Sequence, residues 1–172
     1  MEDASREELF RAWIEDYGGV ISKIVRAYTF NRQDEDDLFQ EVALQLWMSI
    51  PAFEGRSKPS TWIYKVALNT AFVWKRKEGK HPKETDASAV ENEIDGMGLT
   101  PARAAENRED LDWLYEELRK LNKVNRSILL LYLEDLSYRE MGEILGLSET
   151  NVGARLSRLK SRLADEYARR AK

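Results

Sequence analysis

Apolar residues along this chain recur at intervals of three and four and nowhere alternate, so the pattern predicts helix almost throughout. The first helix is predicted over about Ser5 to Tyr17, with Ser5 and Glu8 spaced as a capping box. Gly18-Gly19 is expected to break it, and a second helix to run from Val20 to Phe30. The third starts in the acidic run Asp34-Glu35-Asp36-Asp37, which suits the positive end of a helix dipole. It continues through Leu38, Val42, Leu46 and Trp47 and stops at Pro51, and a fourth follows Ser60 as far as about Lys77. Gly79 to Leu99 is polar, with Pro82, three glycines and few large apolar residues. A structureless loop of that length is unusual inside one compact domain. It is therefore taken as a linker (79–99) between an N-terminal unit (1–78) and a C-terminal unit (100–172), with an extended reach on the order of 70 Å.

Helix resumes at Thr100-Pro101, an N-cap followed by proline at the first helical position. It carries Leu111, Leu114, Tyr115, Leu118 and Leu121, and another helix is predicted over about Asn125 to Leu133. Ser137 and Glu140 form a capping box that opens a short helix with Met141, Ile144 and Leu145. Gly146-Leu147-Ser148 is a tight turn, and Ser148 caps the last helix. The expected fold is all-α, in two small helical domains.

A short capped helix, a glycine turn and a longer basic helix is the helix-turn-helix plan. On the last helix Val152, Leu156, Leu159 and Leu163 form one stripe to bury. Asn151, Arg155, Arg158 and Arg162 form a second, rotated by about 100°. An amide with three guanidiniums suits the major groove, where Asn reads adenine and Arg reads guanine or grips phosphate. The blander account is a solvated amphipathic helix, which an arginine stripe alone would more often be. The capped helix and glycine turn before it favour DNA.

Charge sharpens this picture. The net charge is −4, which at first argues against nucleic acid. Yet residues 1–50 hold eleven acidic and five basic side chains, whereas residues 148–172 hold seven basic and three acidic. Lys75, Arg76, Lys77, Lys80 and Lys83 form a second basic cluster. One acidic end and two basic patches fit a chain that meets a basic protein surface and DNA together. Cysteine is absent, which excludes disulfides and thiolate metal sites. The lone histidine, His81, lies among Gly79, Lys80, Pro82 and Lys83, a poor setting for a catalytic base. No apolar run reaches membrane-span length and the acidic N-terminus has no signal-peptide plan, so a cytoplasmic location without membrane insertion is expected. The acidic run is read as a solvated helix start, since consecutive carboxylates point around a helix and not at one metal ion.

Around the fourth helix aromatics alternate with cations: Phe53, Arg56, Lys58, Trp62, Tyr64, Lys65, Phe72, Trp74, Lys75 and Arg76. Such mixtures hold single-stranded DNA by stacking and phosphate attraction. Lys65, Asn69, Phe72 and Arg76 share a face, with Trp62 beside them. The alternative is a core role, favoured for Trp47 and Trp74 and evenly balanced for Phe53 and Trp62. Gln40, Glu41 and Leu44 continue the face set by Asp37, a mixed patch suited to a protein partner with a basic helix.

Four segments in register resemble the extracytoplasmic-function sigma factors of the sigma-70 family. Asp36-Asp37-Leu38-Phe39-Gln40-Glu41 resembles the family's DLVQE signature, and Phe53-Glu54-Gly55-Arg56 with Ser60-Thr61-Trp62-Ile63-Tyr64 its F-x-G…S-T-W-L-Y segment. Val66-Ala67-Leu68-Asn69 is similar to its I-A-x-N. Leu136-Ser137-Tyr138-Arg139-Glu140-Met141 with Gly146-Leu147-Ser148-Glu149 is similar to its L-S-Y-x-E-I…G-I-S-E. The resemblance spans all but the linker and the extreme ends, and implies a four-helix region two and a helix-turn-helix region four.

It also implies that Asp37, Gln40, Glu41 and Leu44 dock on the clamp helices of the largest subunit of core RNA polymerase, with the flap of the second-largest subunit a further contact. Phe53, Glu54, Gly55, Arg56 and Ser57, with Trp62, Lys65, Asn69 and Arg76, would melt and capture the minus-ten element as single strand. Ser148, Thr150, Asn151, Arg155, Arg158 and Arg162 would read the minus-thirty-five element as duplex. Glu84, Asp86, Glu91, Glu93 and Asp95 would lie in the RNA exit path. An anti-sigma factor is an implied partner; no cofactor, metal or covalent chemistry is. Glu54, Arg56, Val73, Gly153 and Thr150-Asn151 depart from the family's common residues, which bears on promoter sequence and not on class. The competing expectations are a two-domain helix-turn-helix regulator that does not act as sigma and, remotely, a carboxylate metalloenzyme.

Overall fold

The computed structural model describes residues 3–78 and 101–170, so the linker expectation and the Thr100 cap lie outside the described residues. Seven α-helices and one 3₁₀ turn make up the described chain, with no strand among them. The N-terminal half holds α1 (Asp3–Tyr28), α2 (Arg32–Ser49), the turn Ile50–Ala52 and α3 (Pro59–Glu78). The C-terminal half holds α4 (Pro101–Lys120), α5 (Lys123–Leu133), α6 (Tyr138–Leu145) and α7 (Glu149–Arg170). No described helix is long and apolar enough to cross a membrane.

Helix α1 corrects the expected break: it runs unbroken through Gly18-Gly19, so Ser5 lies inside it and the described N-terminal half has three α-helices, not the expected four. Each glycine costs about 1 kcal/mol of helix propensity. The stripe of Trp13, Ile21, Ile24, Val25 and Tyr28, all at or below 2% exposure, continues across the pair. Burying each such side chain is worth about 1.5–3 kcal/mol, and that decides the outcome.

The acidic run is only partly solvated. Asn31 caps α2, its side-chain oxygen accepting from the Asp34 amide (2.9 Å) while its amide donates to the Asp34 carboxylate (2.7 Å), and Asp34 is buried. Burial pushes the half-buried Glu35 carboxyl up, against the pull of Arg26 and Arg119. Asn122 likewise caps α5, accepting from the Asn125 amide at 3.0 Å, so that helix begins earlier than the apolar pattern suggests.

The two halves touch. Arg126 is 1% exposed, and its guanidinium donates to the carbonyls of Leu118, Arg119 and Leu121 at the end of α4 and of Ala27 at the end of α1. Arg119 donates to the Thr29 and Arg26 carbonyls. The last carbonyls of a helix lack intrahelical partners and carry partial negative charge, so cations there are favoured. The Tyr28 hydroxyl reaches the Ser127 hydroxyl (3.0 Å) and the Lys123 carbonyl (3.1 Å). Ion pairs Lys23–Glu134, Arg26–Asp112 and Lys58–Glu140 line the rest of the seam.

Candidate nucleic-acid and polymerase interfaces

Three surfaces carry the residues singled out from sequence. On α2, Asp37, Gln40 and Leu44 are exposed and Glu41 half-exposed, accepting from Gln45. Opposite them Leu38, Val42 and Leu46 are fully buried, which fixes the outward stripe. Met48, 60% exposed, extends it with Leu44 as an apolar strip inside a polar one.

The second surface is the loop between the 3₁₀ turn and α3. Gly55 sits at φ +70°, the left-handed region that glycine enters without strain. That turn lets Glu54 and Arg56 form an ion pair across it. The floor is aromatic: Trp13 meets Phe53 edge-on at 5.2 Å, and Phe53 meets Trp62 at 5.6 Å. The Trp62 indole N–H donates to Ser49 Oγ at 3.0 Å. Phe53 and Trp62, evenly balanced between core and surface from sequence, are thus half-buried and packed on one another. A depression of about 310 Å³ remains, lined by Ala52, Phe53, Glu54, Arg56, Ser57 and Trp62. Lys65 and Asn69 are exposed on α3. Phe72 is not with them, since its ring packs on Tyr28 at 5.8 Å. The Arg76 side chain lies outside those described.

The third surface is α7. Ser148 Oγ accepts from the Asn151 amide at 3.2 Å, which starts the helix. The capping box of Ser137 and Glu140 is complete, and Gly146 closes α6 at φ +69°. A Cβ on Gly153 would lie 3.2 Å from the Tyr138 ring, so α6 covers the position where the family commonly has a longer side chain. Val152, Leu156 and Leu159 are buried, while Thr150, Asn151, Arg158 and Arg162 are exposed. Neither Arg158 nor Arg162 has an acidic partner among the described residues. Arg155 is half-buried. Its Nε donates to Asn151 Oδ1 at 2.6 Å and its Nη1 to Asn125 Oδ1 at 3.1 Å. Asn151, expected to read adenine bidentately through its amide oxygen and nitrogen, here has that oxygen accepting from Arg155.

The family described as "Sigma-70 region 2" matches residues 13–81, and that described as "Sigma-70, region 4" matches residues 111–163. The chain belongs to the sigma-70 family. Its relatives place it in the extracytoplasmic-function group. It is 29% identical to RNA polymerase sigma factor YlaC of Bacillus subtilis (strain 168) over 160 residues, 92% of this chain and 90% of that one. It is 27% identical to the ECF RNA polymerase sigma-E factor of Escherichia coli (strain K12) over 163 residues, 90% and 84% of the two chains. Among solved structures, CnrH in complex with the cytosolic domain of CnrY aligns with a TM-score of 0.67 at 19% identity, covering 94% of this chain and 89% of that chain. RpoE in complex with the anti-sigma factor NepR, from Bartonella quintana, aligns at 0.69 with 16% identity, covering 91% and 94%. The function is the family's: this sigma factor directs RNA polymerase to promoters.

Two features of this sigma factor escaped the sequence reading. Asn125 lies outside the helix-turn-helix and belongs to no quoted motif, so nothing local marked it. Arg126 sits at position four of a helix whose periodicity marks it only as facing inward, and its acceptors come from two other helices.

Proposed function

We propose that this sigma factor reads promoters at two points with separate halves, residues 1–78 and 100–172, joined by the 79–99 linker. The outward stripe of α2, with Asp37, Gln40, Glu41 and Leu44, is the docking face for the polymerase clamp helices. The loop Phe53–Ser57, with Lys65, Asn69 and Arg76, captures the minus-ten element as single strand. In that assignment Phe53 and Trp62 form the floor, and a base enters the depression above them. Helix α7 reads the minus-thirty-five duplex with its exposed Arg158, Arg162 and Thr150 and the braced Arg155.

The observation that supports this best is α7 itself: three guanidiniums on one side with no carboxylate partner among the described residues, opposite a side anchored by Val152, Leu156 and Leu159. Unpaired cations at helical spacing match phosphate and base-edge acceptors. The chain supplies recognition and strand opening, works in the cytoplasm, and is not an enzyme; polymerase makes the RNA. Both structural neighbours were captured with protein partners, one named as an anti-sigma factor, and a partner of that class completes the proposal.

The test is runoff transcription with core polymerase on a library randomised over both promoter elements. Selected templates should carry two conserved blocks at fixed separation. Absence of a stable complex with core polymerase, with tight duplex binding by the chain alone, would instead favour a free-standing regulator.

A further inference from the structure

The geometry points to Asn125 as a positioning residue for upstream-element specificity, holding Arg155 from outside the helix-turn-helix. This rests on the reading of α7 as the duplex reader.

A guanidinium on a flexible stem gives poor base discrimination unless its plane is fixed, because a swinging cation satisfies phosphate and base alike. Arginine has five N–H donors in a rigid fork. Two of its nitrogens are already engaged in the free protein, Nε by Asn151 (2.6 Å) and Nη1 by Asn125 (3.1 Å). The two acceptors stand on different helices, α7 and α5. Asn151 alone, one turn away on the same helix, would move with Arg155. Asn125 belongs to the first turn of α5, which is fixed independently by the Asn122 cap and by the buried Arg126 beside it. Among the described residues this leaves Nη2 and one Nη1 proton unengaged on a guanidinium tied at two points. Free N–H donors on a plane held in one orientation are what a guanine O6/N7 pair needs. Arg158 and Arg162 have no such brace, so of the three arginines Arg155 is the one built to discriminate. Asn125, Arg155, Arg158 and Arg162 line one concavity of about 240 Å³, which places the brace at the reading surface itself.

The experiment uses the full chain with core polymerase, selecting active templates from a library randomised in the upstream element. Asn125→Ala, Asn125→Asp, Arg155→Ala and the double alanine variant are compared. The Asn125 backbone amide is satisfied by Asn122, not by its own side chain, so alanine should fold; thermal melting checks this. Arg155→Ala should relax base preference by roughly tenfold at one or two positions. Asn125→Ala should relax the same positions by several-fold and leave the downstream element unchanged, and the double variant should match Arg155→Ala. Asp keeps the acceptor but adds a negative charge near phosphate. It should therefore retain the preference while lowering activity on all templates alike. If Arg155→Ala shifts preference and Asn125→Ala only lowers activity uniformly, Asn125 is structural and the inference fails alone. If Arg155→Ala shifts nothing upstream, Arg155 is no base reader and the inference fails; the assignment of α7 falls as well only if Thr150→Ala and Arg158→Ala are equally silent.

Discussion

Replacing Arg126 with methionine removes the cation but keeps much of the volume of a side chain that is only 1% exposed. Four carbonyls then lose a charged donor: Leu118 at 2.8 Å, Ala27 at 3.1 Å, Arg119 at 2.7 Å and Leu121 at 3.0 Å. A hydrogen bond to a charged group contributes about 1.5–3 kcal/mol. The four do not add fully, because a carbonyl has two lone pairs and those at a helix end reach water once the last turn loosens. Counting about two full bonds gives a loss of about 3–6 kcal/mol, a large part of the ~5–15 kcal/mol that holds a typical chain folded. At about 2–4 °C per kcal/mol for a chain of this length, the melting temperature should fall by about 6–24 °C. Urea unfolding followed by circular dichroism measures the free energy directly. Arg126→Lys is the useful companion, since one ammonium keeps the charge but cannot span four acceptors, and it should recover only part of the loss. A methionine variant within about 1 kcal/mol of the parent would refute the accounting and mean that water serves these carbonyls.

Gly142→Ala should destabilise the C-terminal half by about 1–3 kcal/mol although alanine is the better helix former, because its Cβ would lie 2.5 Å from the Leu147 carbonyl oxygen; a neutral variant would show that the turn yields. Glu140 is held down to about 2, first by the Lys58 ammonium and then by the Ser137 amide and hydroxyl. A lowered carboxyl contributes stability that is complete above its ordinary value of 4.5 and is lost as pH falls towards 2. The parent should therefore lose melting temperature across that window more steeply than Glu140→Gln, and parallel curves would remove the contact from the ledger. Alanine at Asp37, Gln40 and Leu44, all exposed, should weaken core-polymerase binding while leaving the melting temperature within a few degrees; a shared drop in both would assign the stripe to folding. Arg162→Ala should weaken duplex binding across all sequences and reduce the salt slope by about one, whereas a change confined to particular bases would make it a reader.

What the sequence made legible was local. The box of Ser137 and Glu140, the Gly146 turn and the Ser148 cap depend on residues within about a turn of one another, and each stands as read; on α7 Val152, Leu156 and Leu159 are buried as expected, but Leu163 and Arg155 are only half-buried. Gly18-Gly19 was misjudged because propensity is a local quantity, while the stripe on either side of it is paid for by α2 and α3. Asn31 and Asn122 were missed as caps because the apolar pattern starts several residues after the helix does. Phe53 and Trp62 were balanced between core and surface, and only their mutual edge-on packing with Trp13 shows them as a floor. The seam between the halves was invisible: Arg126 and Ala27 are 99 residues apart in the chain.

That seam sets a price on promoter binding. The names of the two elements place them about 25 base pairs apart, roughly 85 Å of duplex. Lys58, beside the loop proposed to take the downstream element, and Glu140, at the start of α6, are 2.7 Å apart. In the proposed two-point reading the closed chain is the unbound side of an equilibrium, and each contact across the seam enters affinity with the opposite sign from stability. A population open one part in ten binds tenfold more weakly than its readers intrinsically can, and about 1.4 kcal/mol of seam sets that factor. Arg26, Arg119 and Tyr28 touch neither polymerase nor DNA in the proposed assignment. By this reckoning they are affinity determinants nonetheless, and a variant that tightened them would be a hardier protein and a poorer sigma factor.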